Sequence, residues 1–250
     1  MHDIRFPHYT DISPGANFLV LVSALLLNYS SVLYLSTSPL LATLPIALTG
    51  FALILYTRSW KLALVASVFA IIGAGQEAFF IARGLWHYET TSFLSIPLYL
   101  PFVWANIAIL IVGLFQGLLQ LRTKLHLYHA PPRFLQTFLA TGSAAFTVMF
   151  AIYHWADRPS QLIVLFLFID IVYVAVMRSV PLAIVGLIAM LAGSIADLIA
   201  VPLGIWHYPS GGYFSNIPGY IFLGWDIVGL FAAGLYLTVD SWDQKRTHQL

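Results

Sequence analysis

The sequence contains no cysteine, which excludes disulfide bonds, thiolate metal sites and a cysteine nucleophile. It is also poor in charge: 8% of its 250 residues are charged, whereas soluble globular chains carry about 25%. Eleven basic and ten acidic residues are too few to cover a surface that faces water, so a soluble enzyme and a disordered chain are both excluded. The formal net charge of +1, with no basic run, excludes a protein that follows the phosphate backbone of a nucleic acid.

Apolar residues make up 60% of the chain and are gathered in long runs. Eight runs are long enough for a helix to cross about 30 Å of hydrocarbon, and such a helix satisfies its own backbone polar groups. A membrane β-barrel would need polar and apolar residues in alternation, which the run 62–72 lacks. The sequence therefore predicts an all-α membrane protein with about eight transmembrane helices. Their expected bounds are 17–35, 40–57, 62–82, 96–121, 134–155, 160–177, 181–203 and 217–239.

The basic residues are divided unequally between the two sides of the predicted spans. Nine lie on one side, whereas only Arg83 and Arg158 lie on the other. Because loops rich in Lys and Arg stay in the cytoplasm, both termini are expected to be cytoplasmic, in a multi-pass protein of the cell (inner) membrane. The nine are Arg5, Arg58, Lys61, Arg122, Lys124, Arg133, Arg178, Lys245 and Arg246.

The chain contains an internal duplication. Trp86-His87-Tyr88 recurs as Trp206-His207-Tyr208, at an offset of 120 positions. Each copy holds four predicted spans, and an even number returns the chain to its starting side, so the copies insert with the same polarity. We therefore expect two parallel four-helix repeats, residues 1–130 and 131–250, in a single membrane domain with the functional cavity between them. Further matched pairs are Arg58-Ser59 with Arg178-Ser179, Gly73 with Gly193, Glu77 with Asp197, Gly84 with Gly204, Tyr99 with Tyr220, and Trp104 with Trp225.

Four carboxylic acids lie within predicted spans: Glu77, Asp170, Asp197 and Asp226. A carboxylate at the bilayer centre costs about 2.5–3.5 kcal/mol on insertion scales, so these side chains are expected to face the bundle interior. No Lys or Arg lies deep in a span to pair with them, and desolvation then favours the neutral acid, which can donate a proton. The alternative is that the acids only hold helices together. In that case their partners would be backbone groups or the amides of Asn28, Gln76, Asn106 and Gln116.

Aromatic residues flank the acids at the predicted outer ends of the helices. We predict that six of them bind substrate, because ring faces stabilise a cation. The alternative is an aromatic belt at the membrane interface, as Trp and Tyr form in many membrane proteins. The six are Trp104, Trp225, Tyr99, Tyr220, Trp86 and Trp206.

The two histidines of the duplicated motif, His87 and His207, could suggest a metal site. No pair of histidines has the helical spacing i and i+4, so they are interpreted as interfacial side chains beside Trp and Tyr. The sequence also lacks a Gly-rich phosphate loop and the Ser-x-x-Lys and Gly-x-Ser-x-Gly nucleophile signatures. Neither a metal nor any other cofactor is therefore expected.

The repeated motif resembles that of a known family. The stretch from Glu77 through Gly84, Trp86, Tyr88, Ile96-Pro97 and Trp104 is similar to a motif of the integral-membrane carotenoid biosynthesis family, which includes the carotenoid hydratases and is similar to the membrane lycopene cyclases. The resemblance implies an isoprenoid or polyene substrate and acid–base addition or isomerisation without a metal. The second copy carries it through Asp197, Gly204, Trp206, Tyr208, Gly212-Tyr213-Phe214, Ile217-Pro218 and Phe222-Leu223-Gly224-Trp225.

Acids that hold protons, together with rings that stabilise cations, suit the protonation of a carbon–carbon double bond. The first hypothesis is therefore an enzyme that hydrates, cyclises or isomerises a lipid-soluble isoprenoid. Its catalytic residues would be Glu77 or Asp197 as general acid, with Asp226 as partner base or water-positioning group. The alternatives are a proton- or cation-coupled carrier and a structural subunit of a membrane complex. The expected partners are the lipophilic substrate and membrane lipids, with no nucleic acid.

Overall fold

The computed structural model describes residues 14–122, 124–130, 133–209 and 215–247. These residues contain eight helices, all long and apolar enough to cross a membrane, so the predicted fold class is confirmed. The same residues also contain two strands of two residues each. The elements are α1 (Pro14–Leu35), α2 (Pro39–Thr57), α3 (Trp60–Ala82), β1 (His87–Tyr88), α4 (Leu100–Leu121), α5 (Phe134–Trp155), α6 (Pro159–Met177), α7 (Val180–Ala200), β2 (Trp206–His207) and α8 (Gly219–Thr247).

Two helix ends differ clearly from the predicted bounds. Helix α4 begins at Leu100 rather than at residue 96, because Ile96 pairs with Phe93 in an isolated bridge before the chain turns into the helix. Helix α8 runs to Thr247, past the end of its apolar run at residue 239. This extension is held by α3, since Lys61 Nζ lies 2.6 Å from Asp240 Oδ1 and 2.8 Å from Asp243 Oδ2.

Some parts of the sequence analysis lie outside the described residues. They are Arg5, the Gly212-Tyr213-Phe214 segment of the second motif, and the side chains of Lys245 and Arg246.

The turn that starts the third helix of each copy is built in the same way. Arg58 and Arg178 both adopt left-handed backbone conformations with φ of 49° and end the preceding helix. The next residue is a serine whose hydroxyl accepts a hydrogen bond from the backbone N–H of Leu62 or Leu182, at 3.3 Å in both cases. A serine in this position satisfies one of the free N–H groups at a helix start. The Arg-Ser match therefore marks a shared helix-start signal.

Helix packing follows the same plan in both copies. Helix α4 packs against α1, α2 and α3, and α8 packs against α5, α6 and α7. The two central helices, α4 and α8, also contact each other, while α3 contacts α8 and α4 contacts α7. The core of the bundle therefore lies along α4 and α8, where the two copies meet.

Large apolar side chains cover much of the outer surface of the described helices. Leu40, Phe146 and Ile171 are 72%, 71% and 69% exposed. A soluble protein rarely exposes apolar surface on this scale. Such a surface is suited to contact with lipid tails, in agreement with the multi-pass membrane fold.

Candidate functional site

The two Trp-His-Tyr motifs meet in an antiparallel pair of short strands. In β1 and β2, His87 lies opposite His207 and Tyr88 lies opposite Trp206. Each motif is reached from its helix through a glycine, Gly84 or Gly204, with φ of 72°. Side chains with a Cβ seldom adopt this backbone conformation, which lets the chain turn back over the bundle. The strand pair brings both motifs above the acids of α3 and α7.

Asp197 accepts three hydrogen bonds from the aromatic residues of its own copy. Trp206 Nε1 and Tyr208 OH donate to Oδ1 at 3.0 and 2.9 Å, and Trp225 Nε1 donates to Oδ2 at 2.7 Å. Asp197 is 1% exposed, so the carboxyl is enclosed by its donors. Both of its oxygens are therefore occupied.

Glu77 has a similar but more open environment. Trp86 Nε1 and Tyr88 OH both donate to the same oxygen, Oε2, at 2.6 and 3.3 Å. Trp104, the counterpart of Trp225, interacts weakly with the Glu77 carboxyl. The buried Nε1 of Trp104 nevertheless forms no hydrogen bond with any described residue. Glu77 therefore has two donors in place, whereas Asp197 has three.

The two motif tyrosines remain hydrogen-bond donors at all physiological pH values. Burial raises the pKa of Tyr88 well above its usual range, and the neighbouring Glu77 carboxylate raises it further. Burial and the Asp197 carboxylate have the same effect on the pKa of Tyr208. Neither tyrosine was predicted to be a site residue. The signal was present in the sequence, because Tyr88 and Tyr208 each follow the duplicated acid by eleven positions.

Trp104 and Trp225 stack on each other where the two copies meet. Their ring centroids are 6.0 Å apart and the ring planes differ by 20°. Each ring lies directly over a glycine, Trp104 over Gly73 and Trp225 over Gly193, and a Cβ at either glycine would overlap the ring. The matched glycines therefore provide space for the stacked indoles.

Substitution Gly73→Ala is expected to destabilise the fold by about 1–3 kcal/mol, the usual effect of overpacking a closed interior. The added methyl group must displace the Trp104 ring, which is itself held by Trp225. The matched control is Gly75→Ala in the same helix, because no atom lies within 4 Å of a Cβ at that position. The measurement is the thermal unfolding midpoint of each variant in one detergent. Equal midpoints for the two variants would show that the Trp104 ring moves aside freely.

A cavity of about 450 Å³ lies between the two copies, and its wall is largely apolar. Side chains of α1, α3, α4, α5, α7 and α8 line it. A volume of this size lies within the range of about 300–1,000 Å³ found for small-molecule sites. The predicted site residues that line it are Glu77, Asp197, Trp104, Trp225, Tyr99, Trp86 and Trp206.

Two predicted site residues lie elsewhere. Tyr220 packs edge-on against Phe166, with ring centroids 6.3 Å apart, in a separate apolar cluster. Asp226 does not line the cavity; its carboxyl lies against Gly186 of α7 and beside the carboxyl of Asp170. The structure therefore brings Glu77 and Asp197 together and places Asp226 with Asp170.

Three of the four amides that the helix-holding interpretation offered to the acids, Asn28, Asn106 and Gln116, have other partners. Asn106 Nδ2 donates to Asn28 Oδ1 at 2.7 Å, and Gln116 Nε2 donates to Tyr236 OH at 2.6 Å. The donors to Glu77 and Asp197 come instead from aromatic side chains. Local helix-to-helix amide bonds therefore do not account for these two acids.

The histidines of the motif lie on the outer side of the strand pair. Their ring centroids are 5.1 Å apart, and His207 Nε2 lies 3.7 Å from Glu89 Oε2. Within the described part of the chain, no group of three or more His, Asp or Glu side chains could hold a metal ion.

The profile of a protein family described as "Protein of unknown function (DUF817)" matches residues 12–225. The chain belongs to the DUF817 family. The match covers most of each copy, including both Trp-His-Tyr motifs. No curated protein sequence matches the chain. The resemblance to the carotenoid biosynthesis family stays a prediction.

Two solved structures share the fold of this DUF817 member. One is MvINS, an Insig homolog from Mycobacterium vanbaalenii, with a TM-score of 0.52 and 18% identity over 72% of this chain and 92% of that one. The other is a cross-linked MvINS trimer, with a TM-score of 0.55 and 15% identity over 72% of this chain and 94% of that one. At this level of identity the likeness is one of fold alone.

Proposed function

We propose that this protein is an integral-membrane enzyme that binds a lipid-soluble isoprenoid in the cavity and protonates one of its double bonds. The observation that carries the proposal is the composition of the cavity wall. Apolar side chains surround two carboxyl groups, and no Lys or Arg of the described residues lines the cavity. An intramembrane acid without a cationic partner is costly and marks a functional site by default.

In the proposed reaction, the Glu77 carboxyl transfers its proton to one carbon of the double bond. A C–H bond forms, the π bond breaks, and the adjacent carbon becomes a cation. Trp104 and Trp225 line the cavity together with Glu77, and the parts of their rings that border the cavity stabilise that cation. Glu77, now a carboxylate, then takes a proton from attacking water, which gives an alcohol, or from a neighbouring carbon, which gives an isomer. If a second double bond of the substrate first attacks the cation, a C–C bond and a new cation form, and loss of a proton from the carbon beside the new cation gives a ring.

The two carboxyls of the cavity have different proposed roles. Asp197 is enclosed by three donors and acts as a positioning residue for Trp225. Glu77 has a less crowded carboxyl and acts as the general acid. Asp226 is not assigned a catalytic step, because it does not line the cavity.

The carrier alternative has less support than the enzyme. Transporters often bind their substrate at broken helices, but α3 and α7 run without interruption past both acids. Helix α7 ends at Ala200, before Pro202. A structural subunit is the second candidate, and the fold likeness to a protein crystallised as a cross-linked trimer supports it.

The proposal is tested by producing the protein in bacteria that accumulate acyclic carotenoids and measuring the pigments by mass spectrometry. We expect a new pigment that is heavier by one water, or an isomer with an altered absorption spectrum. The matched control is a strain that produces the Glu77→Gln variant in equal amount. Unchanged pigments with the parent protein, and with shorter acyclic isoprenoids supplied to purified protein, would favour the structural subunit.

We also propose that the repeats are residues 1–130 and 131–250 and that both termini lie in the cytoplasm of the inner membrane. The nine-to-two distribution of basic residues supports this orientation. An alkaline phosphatase fused after Leu250 is therefore expected to be inactive, whereas green fluorescent protein at the same position is expected to fluoresce. The same pair of reporters placed after Glu89, in the β1 loop, is expected to behave in the opposite way. An active phosphatase after Leu250 would show the orientation to be wrong.

A further inference from the structure

The two copies of the acid site differ in one hydrogen bond. In the second copy, Trp225 Nε1 reaches Asp197 Oδ2 at 2.7 Å. In the first copy, the equivalent Trp104 Nε1 interacts only weakly with the Glu77 carboxyl and forms no hydrogen bond with a described residue, although Trp104 is only 6% exposed. Buried polar groups are nearly always hydrogen-bonded, so an unpaired indole N–H at a cavity wall indicates a missing partner.

The Glu77 carboxyl, next to the Trp104 N–H, accepts hydrogen bonds from described residues at only one of its two oxygens. Both hydrogen bonds that Glu77 receives from described residues go to Oε2, which leaves Oε1 without one. Glu77 is 8% exposed and lines the cavity together with Trp104. A buried indole N–H and a Glu77 oxygen that accepts no hydrogen bond from a described residue therefore lie close to each other.

Trp104 cannot easily turn to close this gap. Its ring lies over Gly73, stacks on Trp225 and contacts Phe69, with ring centroids 6.5 Å apart in the last pair. In the second copy, Trp206, Tyr208 and Trp225 all donate hydrogen bonds directly to the shorter side chain of Asp197. The separation between Trp104 Nε1 and the Glu77 carboxyl is thus found only in the first copy, and side-chain packing maintains it.

We propose that the gap between the Glu77 carboxyl and the Trp104 indole binds the hydroxyl group of a lipid. The assignment rests on the proposed function only for the isoprenoid nature of the rest of that lipid.

A hydroxyl is the group that fits both partners in either protonation state of Glu77. It accepts a hydrogen bond from Trp104 Nε1, and it donates to an ionised Glu77 or accepts from a neutral one. A carbonyl cannot donate to the carboxylate, a second carboxylate would be repelled by it, and an ammonium group has no lone pair for the indole N–H. The hydroxyls of Tyr29 and Tyr99, which also line the cavity and have no partner among the described residues, add further polar contacts.

The test compares three lipids that differ only at one end: farnesol, its methyl ether and the hydrocarbon farnesene. The purified full-length protein is incubated with each in the same detergent, separated from free lipid and analysed for retained lipid by mass spectrometry. We expect the parent protein to retain farnesol about tenfold better than farnesene, the effect of hydrogen bonds to a polar or charged partner. The ether can accept but not donate, so its retention is expected to lie between the two.

Two matched variants identify the group responsible. Trp104→Phe keeps a ring face but loses the N–H, and it is expected to bind farnesol and farnesene equally. Trp225→Phe removes the equivalent N–H, which already has Asp197 as its partner, so it is expected to keep the preference even where it lowers stability. Loss of the preference in both variants would overturn the assignment, because a general loosening of the site would then explain it.

The remaining outcomes separate the proposed site from the proposed function. Equal retention of farnesol and farnesene by the parent overturns the hydroxyl site but leaves the lipid cavity intact. Equal retention combined with slower alkene turnover in Trp104→Phe shows that water, rather than a lipid hydroxyl, occupies the gap. If the parent retains none of the three lipids, the isoprenoid cavity itself is wrong, and the hydroxyl assignment is overturned with it.

Discussion

Glu77→Gln is expected to lower isoprenoid turnover by about 10²–10⁴-fold, the usual contribution of a general acid–base group. Gln has the size of Glu, and its amide oxygen can still accept from Trp86 Nε1 and Tyr88 OH, which both donate to one oxygen of Glu77. The amide cannot deliver a proton to an alkene. The measurement is the rate of product formation in membranes that contain equal amounts of each protein.

The control for this loss is Glu89→Gln, the same chemical change close to the same strand pair. The Glu89 side chain is 70% exposed and does not line the cavity, so the parent rate is expected. The thermal unfolding midpoint of Glu77→Gln is expected to stay close to that of the parent, which separates loss of chemistry from loss of fold. Turnover by Glu77→Gln at the parent rate would show that Glu77 is not the acid.

Asp197→Leu is expected to destabilise the protein by about 3 kcal/mol or more, because each unpaired buried polar group costs about 1–3 kcal/mol. The substitution removes the acceptor of three donors, the N–H groups of Trp206 and Trp225 and the hydroxyl of Tyr208. Its thermal unfolding midpoint in detergent should be the lowest among the acid variants.

Asp197→Asn provides a graded comparison for this effect. The amide oxygen can replace Oδ1 as an acceptor. The amide nitrogen would take the place of Oδ2, which accepts a hydrogen bond from Trp225 Nε1 at 2.7 Å. Two N–H donors would then face each other. An intermediate loss of stability is therefore expected. Asp157→Leu is the control, since the Asp157 side chain is 78% exposed, and its midpoint should match the parent. A parent-like midpoint for Asp197→Leu would mean that these donors are satisfied in another way.

The glutamine and asparagine variants together test whether the duplicated acids have diverged. The sequence aligns Glu77 with Asp197 and treats them as equal candidates. In the structure, Glu77 accepts two hydrogen bonds, both at the same oxygen. Asp197 accepts three hydrogen bonds, which are shared between its two oxygens. We therefore expect the Glu77 variant to lose mainly activity and the Asp197 variant to lose mainly stability.

The sequence by itself determined the features that depend on local composition and order. Eight apolar runs became eight helices, because the cost of placing backbone and charged groups in hydrocarbon is decided segment by segment. The 120-residue offset correctly paired the Arg-Ser helix starts, the glycines under Trp104 and Trp225, and the acids with their Trp-His-Tyr motifs. These pairs form because each motif acts mainly within its own copy.

Only the tertiary structure decided which of the candidate residues share a cavity. Asp226 and Tyr220 have the same residue types as the members of the site, yet the packing of α8 turns them toward Asp170 and Phe166. A helix with apolar residues all round has no preferred inward face in its sequence, so its rotation is set by how side chains interlock with neighbouring helices. For the same reason the free N–H of Trp104 was invisible in the sequence: whether an indole reaches an acid on another helix depends on distances that only packing fixes.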